Sequence, residues 1–262
     1  MVSKAVLQHF HKDEFVFVEK MTDIINCVED TYTIFVTDFL NPRELAIVES
    51  LVANRNLFFY SSNDYFDTEY GKAIIAPDYY QFDEADFELS LLEIHYNSKF
   101  NHLTHAQILG AFLNQLGIER HLIGDIRLNN EKAQLFLTST MADQAIQQMT
   151  KIGRAGVALE EIPFSRLMKR QEEVTSLFLQ VSSLRLDKIL ASSFKLSRLQ
   201  AVKLIEAGKV KVNYRTVEKT SEQLELGDMV SVRGFGRIRL VDEQGVTKSG
   251  KHKLTIEKLK HK

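Results

Sequence analysis

Between Arg185 and Arg239 the chain concentrates side chains that can hold phosphate: Arg185, Lys188, Arg198, Lys203, Lys209, Lys211, Arg215, Arg233, Arg237 and Arg239. Guanidinium and ammonium groups at this density neutralise a polyanion, and displacing its counterions makes such binding salt-dependent. If about six phosphates are neutralised, affinity falls by roughly three decades or more between low and moderate salt, by analogy with the duplex scale. A surface charge run that is merely solvated is the alternative. The clustering argues against it and for a structured RNA, bound through shape and backbone more than through base edges.

The elements that must position these cations are short. Arg185 to Ser193 reads as a helix hiding Leu186, Ile189 and Leu190 and offering Arg185 and Lys188. Ser197 followed by Gln200 has capping-box spacing, so a second helix begins at Arg198 and ends at Gly208, a left-handed cap. Ala201, Leu204 and Ile205 then face inward, and Arg198 and Lys203 outward. In Lys209-Val-Lys-Val-Asn213 the two-residue period buries Val210 and Val212 and exposes Lys209, Lys211 and Asn213, with Arg215 extending the stripe from the next turn. After a turn and strand over Leu226–Arg233, the glycines of Gly234-Phe-Gly-Arg-Ile-Arg239 allow a ligand close to the backbone.

Charge is partitioned along the chain. The net −2 conceals 18 Lys and Arg against 9 Asp and Glu from Val181 to Lys262, while residues 1–180 hold 15 against 26. That division points to a polyanionic partner at the C-terminal third. No apolar run approaches the roughly 18 residues of a membrane span, and the start is too polar and acidic for a signal peptide, so a cytoplasmic protein without membrane partners is expected. The single Cys27 excludes an internal disulfide and cysteine-based zinc clusters, and reads as a core filler beside Ile24, Ile25 and Val28.

Upstream, three domains are expected: 1–76, 77–181 and 182–262. In the first, helical patterns cover Ala5–Phe10 and Glu14–Val28, and Thr33–Thr37 reads as a strand. Asn41 caps and Pro42 opens a helix to about Asn54, and Leu57–Tyr60 returns as a strand. In the second, strands at Leu89–Tyr96, Gly124–Leu128, Ala133–Thr138 and Gly156–Ile162 alternate with helices at Thr104–Leu116 and Met141–Met149. This is the βαββαβ order of ferredoxin-like, RRM-type folds, giving an α+β protein: α/β plait units followed by a small basic domain. RNA recognition on such a sheet needs exposed aromatics on the central strands, and only Phe136 qualifies; otherwise the sheet is a scaffold or a protein contact. The run Leu177–Val181 closes this domain.

Catalytic chemistry is not evident. There is no phosphate loop, nucleophile elbow or Gly-rich cofactor loop after a strand, so no catalytic residue, cofactor or metal is assigned. His102 and His105 have near ligand spacing but lack a partnering motif, and His105 reads as a capping or packing residue. Asp83, Glu84, Asp86 and Glu88 read first as a solvated acidic loop; the secondary reading is an acid patch that repels RNA and so orients the cationic domain.

The order Arg185-Leu-Asp-Lys-x-Leu190, Ser197-Arg-x-x-Ala-x-x-Leu-Ile-x-x-Gly208-x-Val-x-Val-Asn213 and Leu224-x-x-Gly-Asp228 resembles the RNA-binding domain named after small-subunit ribosomal protein S-four. The resemblance adds Ser197 and Asn213 to the RNA contacts, and Tyr214 departs from it where many relatives place glycine. Phe39-Leu-Asn-Pro-Arg-Glu44, Ala76-Pro-Asp-Tyr-Tyr80, His105-Ala-Gln-Ile-Leu-Gly110 and Gly117-Ile-Glu-Arg-His-Leu-Ile-Gly-Asp-Ile126 extend it to the bacterial YlmH family, across essentially the whole chain. Phe66-Asp-Thr-Glu-Tyr-Gly-Lys72 departs from the Gly-Gly-Tyr and Ala-Glu-Arg-rich stretch of relatives. The family resemblance implies an RRM-like half joined to an S-four-type domain. It also implies association with large-subunit rRNA and peptidyl-tRNA, alongside translation-rescue factors, in rescue of stalled ribosomes that add C-terminal tails to nascent chains; the genes of relatives lie near cell-division genes. A monomeric, non-catalytic RNA-binding factor is thus expected. The alternatives are a pseudouridine-synthase-like RNA-modifying enzyme and a cell-division adaptor.

Overall fold

A computed structural model describes residues 7, 8, 10–170 and 172–261, which fall into two compact units divided after Arg170. Most of the helical pattern expected over Ala5–Phe10 lies outside the described residues. Among them, no helix is long and apolar enough to cross a membrane.

The first unit opens with α1 (Phe15–Thr31), β1 (Phe35–Val36), α2 (Pro42–Val52), β2 (Leu57–Ser61) and β3 (Ala73–Pro77), with the strands ordered β1-β3-β2. Asn41 caps α2 by accepting from the amides of Arg43 and Glu44, while the Glu44 carboxylate accepts from the Asn41 amide, and Pro42 fills the first helical position. The two helices cover one face of the sheet through Met21, Ile25, Val48 and Ile75. Cys27 is exposed, contrary to expectation: two residues past buried Ile25 it is about 200° around the helix, on the solvent side.

The same unit continues through β4 (Leu89–Tyr96), α3 (His105–Gln115), β5 (Ile123–Leu128), β6 (Ala133–Thr138), α4 (Ala142–Gln148), β7 (Lys151–Ile152) and β8 (Ala155–Ile162), ordered β5-β6-β4-β8-β7 and antiparallel throughout. This is the ferredoxin-like arrangement expected. Thr104, not His105, caps α3. Ile108, Phe112, Leu92 and Leu135 fill the core between sheet and helices.

The opposite sheet face is closed. Phe136 is 1% exposed, packed between Phe66 and Phe164 with ring centroids 6.2 and 6.0 Å away. Stacking of bases on Phe136 is therefore ruled out: residues 163–170 and the loop around Phe66 cover the position. Beside it Gln134 accepts from the Met168 amide at 2.8 Å, and buried Glu93 accepts from Gln134, Lys132 and Arg166.

The second unit is one curled six-stranded sheet, β11-β10-β12-β13-β14-β9, with two helices packed on it. Its elements are β9 (Glu172–Val181), α5 (Leu186–Phe194), α6 (Arg198–Glu206), β10 (Val210–Val212), β11 (Arg215–Thr216), β12 (Met229–Val232), β13 (Gly236–Val246) and β14 (His252–His261). The run expected to close the middle domain at Val181 instead belongs here. β9 pairs with β14 from Glu172↔His261 to Val181↔His252. Leu186, Ile189, Leu190, Ala201 and Ile205 seal against Val210, Val230, Ile238 and Ile256.

Candidate nucleic-acid interface

The helix pair is built around a buried anion. Asp187 has no exposed surface, and its carboxylate accepts from Arg185 Nε and Nη2 at 2.9 and 3.2 Å and from Arg198 Nε at 3.0 Å. Burial pushes its pKa up, but hydrogen bonds and charge from both guanidiniums outweigh burial and hold it below its ordinary 3.8. The Asp187 hydrogen bond raises the Arg185 pKa in turn. One carboxylate balances half of the charge it organises, and Arg198 remains 64% exposed, so a fixed positive surface is left at the start of α6.

Asp187 is the functional residue that a search for cations passes over. Its signal in the sequence is an acid two residues after Arg185, in the first turn of a helix whose neighbouring positions are buried. Lys188 donates to Ser182 Oγ at 2.8 Å. Ser197 is occupied as the α6 cap: its Oγ accepts from the Gln200 amide and its amide donates to Gln200 Oε1.

A second group of cations lies past the other end of α6. The helix has nine residues, so about 13 Å separate its ends. Here Lys209, Lys211, Arg233 and Arg237 line a groove of ≈ 470 Å³ with Gly208, Ser231, Gly234 and Gly236, and among the described residues no carboxylate lines it. The register explains the convergence. Lys211 lies opposite Ser231 and Ser231 opposite Arg237, so the three share one row across β10, β12 and β13. Arg233 continues the antiparallel pairing of β12 with β10 one step beyond Val210↔Val232 and so faces Lys209, while Gly234 and Gly236, with φ of +87° and +103°, make the turn that returns Arg237 to the row. The Arg233 amide donates to the Lys209 carbonyl at 2.9 Å. Among the described residues, Lys203, Lys209, Lys211 and Arg233 form no ion pair.

Three further expected contacts also bond within the unit, two of them at exposed positions. Asn213 turns the chain with φ of +47°, donates to Asp228 Oδ1 at 2.7 Å and accepts from the Met229 amide at 2.9 Å. Arg215 pairs with Glu222 at 2.6 Å, and Arg239 lies 3.9 Å from Glu257. Of the twelve expected residues, Arg185 and Arg198 meet at Asp187, and Lys209, Lys211, Arg233 and Arg237 at the groove. Ser197, Asn213, Arg215 and Arg239 also serve caps, turns and pairs, Lys188 holds Ser182, and Lys203 stands exposed on α6. Every one of them lies in the second unit.

Three family models match the chain: "YlmH, N-terminal" over residues 13–80, "Putative RNA-binding domain in YlmH" over 83–166 and "S4 domain" over 184–230. The "Ribosome-associated protein quality control protein P2" of Bacillus subtilis (strain 168) is 36% identical over 255 residues, 97% of this chain and 99% of that protein. The solved structure titled "Cell division protein ylmH from Streptococcus pneumoniae" aligns with a TM-score of 0.56 at 40% identity, covering 62% of this chain and 98% of its own.

Proposed function

The chain belongs to the YlmH family, and from that premise we propose that it is a non-catalytic RNA-binding factor of ribosome-associated quality control. Its target is structured rRNA and tRNA on the large ribosomal subunit carrying a stalled peptidyl-tRNA, and it acts as a cytoplasmic monomer. The observation that carries this reading is the convergence of Lys209, Lys211, Arg233 and Arg237 on one groove, where Lys209, Lys211 and Arg233 form no ion pair among the described residues. Lys209, Lys211 and Arg233 stand around a glycine-walled depression with their donors available, so phosphates enter without first breaking an ion pair at these three. The arginines on Asp187 provide a second, rigid phosphate contact about one short helix away.

Co-sedimentation with ribosomal subunits at several salt concentrations tests the proposal. Wild-type chain is expected to travel with large subunits bearing peptidyl-tRNA and to dissociate as salt rises, and a Lys209→Glu, Arg233→Glu variant to remain at the top of the gradient. Equal sedimentation of variant and wild type would refute the interface. Mass spectrometry of nucleosides from RNA incubated with the chain is expected to show no modification; a new nucleoside would turn the reading to an RNA-modifying enzyme.

A further inference from the structure

The first unit carries a surface of different chemistry, on the face of β2 and β3 turned away from α1 and α2. Phe58 and Tyr60 of β2 begin a chain of rings that runs through Phe82 to Tyr65, with successive centroids 6.3, 4.7 and 4.8 Å apart. The last two pairs are nearly parallel, at 24° and 21°. Tyr80 and Phe87 close the underside, where each is buried. The rim is open: Phe58 is 45% exposed and Tyr65 42%. Large exposed aromatics grouped in this way mark an interaction surface more often than a solvated one.

Charge selects the partner. From Asn56 to Leu91 the chain has eight Asp and Glu against one cation, Lys72, which is buried and lies 3.8 Å from Glu88. Asp64 adjoins Tyr65 in the chain and Glu84 follows Phe82 by two residues, so both acids belong to the segments that carry the stacked Tyr65 and Phe82 rings; after desolvation, their charge also raises the Tyr65 pKa. A nucleic acid would bring its phosphates against these acids. Guanidinium groups are attracted by both features, lying flat on ring faces and reaching a neighbouring carboxylate in plane. β2 is also an edge strand of its sheet, and an edge strand suits an extended chain.

We propose that the Phe58–Tyr60–Phe82–Tyr65 ring surface, with Asp64 and Glu84 on the segments that carry it, docks an extended arginine-rich polypeptide segment of a partner protein. The site is separate from the cationic interface and does not depend on it.

Titrating the full-length chain with an (Arg-Gly)5 peptide, followed by amide chemical shifts, tests this directly. Saturable shifts are expected within residues 57–66 and 78–88, with (Lys-Gly)5 binding more weakly and oligouridylate leaving these amides unmoved. Phe58→Ala, at an exposed position, is expected to weaken the arginine peptide by about fivefold to tenfold, as loss of a cation–π contact does, while Lys209→Glu leaves it unchanged. Shifts located elsewhere, no preference for arginine, or movement of these amides by oligouridylate would overturn the assignment. Because shifts are read on the wild-type chain, the result does not rest on how the variant folds.

Discussion

Asp187 is a carboxylate with no exposed surface held charged by two arginines, and its removal acts on both stability and binding. Replacing it by Asn keeps the shape but leaves two guanidiniums without their anion. Arg185 and Arg198 keep access to water, so the cost is that of lost charge-assisted hydrogen bonds, about 1–3 kcal/mol, and α5 amides are expected to lose that much protection from hydrogen exchange. The pH dependence follows from the lowered pKa. An unfolded chain binds the Asp187 proton more tightly than the folded one, so the stabilisation is complete above the ordinary value of 3.8 and is lost as pH falls through the lower folded value. Urea midpoints of the second unit should drop below about pH 3.8 in wild type through this group, and the Asn variant should lack that component. Asn213 makes a contrasting case. Ala at that φ of +47° forfeits the hydrogen bonds to Asp228 and Met229 and adds left-handed strain, together about 2 kcal/mol. RNA affinity of the remaining folded molecules should stay unchanged; a loss of affinity at unchanged stability would restore Asn213 as a contact.

At the scale of the elements, Phe136 decides how the ferredoxin-like sheet is used. Packed among Phe39, Phe66 and Phe164, it should cost about 3–5 kcal/mol when truncated to Ala, read as a lower unfolding midpoint of the first unit, with RNA affinity unaltered. A variant that folded normally but bound RNA poorly would show that the face opens. Strand periodicity made the βαββαβ order and the α5–α6–β10 module legible in the sequence, because each strand or helix there alternates or repeats over a clear window. The occupied sheet face was not legible. Its cover is supplied by irregular segments at Phe66 and Phe164–Met168, which have no period and reach Phe136 only through tertiary packing. The same limit applies to β9: Leu177–Val181 announced a strand, but nothing local says that its partner is β14, more than 70 residues later. Among the site residues the cationic types were legible, whereas the acids that neutralise Arg215 and Arg239 come from separate strands and turns.

For the whole molecule, the unit boundary redraws the charge partition. Up to residue 170 the chain carries 15 Lys and Arg against 24 Asp and Glu, and from 171 onward 18 against 11. An acidic unit tethered to a basic one lowers affinity for RNA in general, because a long polyanion must avoid one half of the protein while engaging the other. Selectivity then depends on how many phosphates the groove itself engages, which the salt dependence counts. Each engaged cation contributes about 0.7–0.9 to the slope of log affinity against log salt. A Lys209→Gln, Lys211→Gln, Arg233→Gln variant should therefore lose roughly 2–3 of that slope. Arg239→Gln removes a cation that already lies beside Glu257 of β14, and should lose far less. Measured by RNA binding from low to moderate salt, equal losses per cation removed, from the groove and from the pair with Glu257, would mean that the protein senses only total charge. A loss confined to the groove would mean that the fold has sorted its cations into those that bind RNA and those that hold the sheet together.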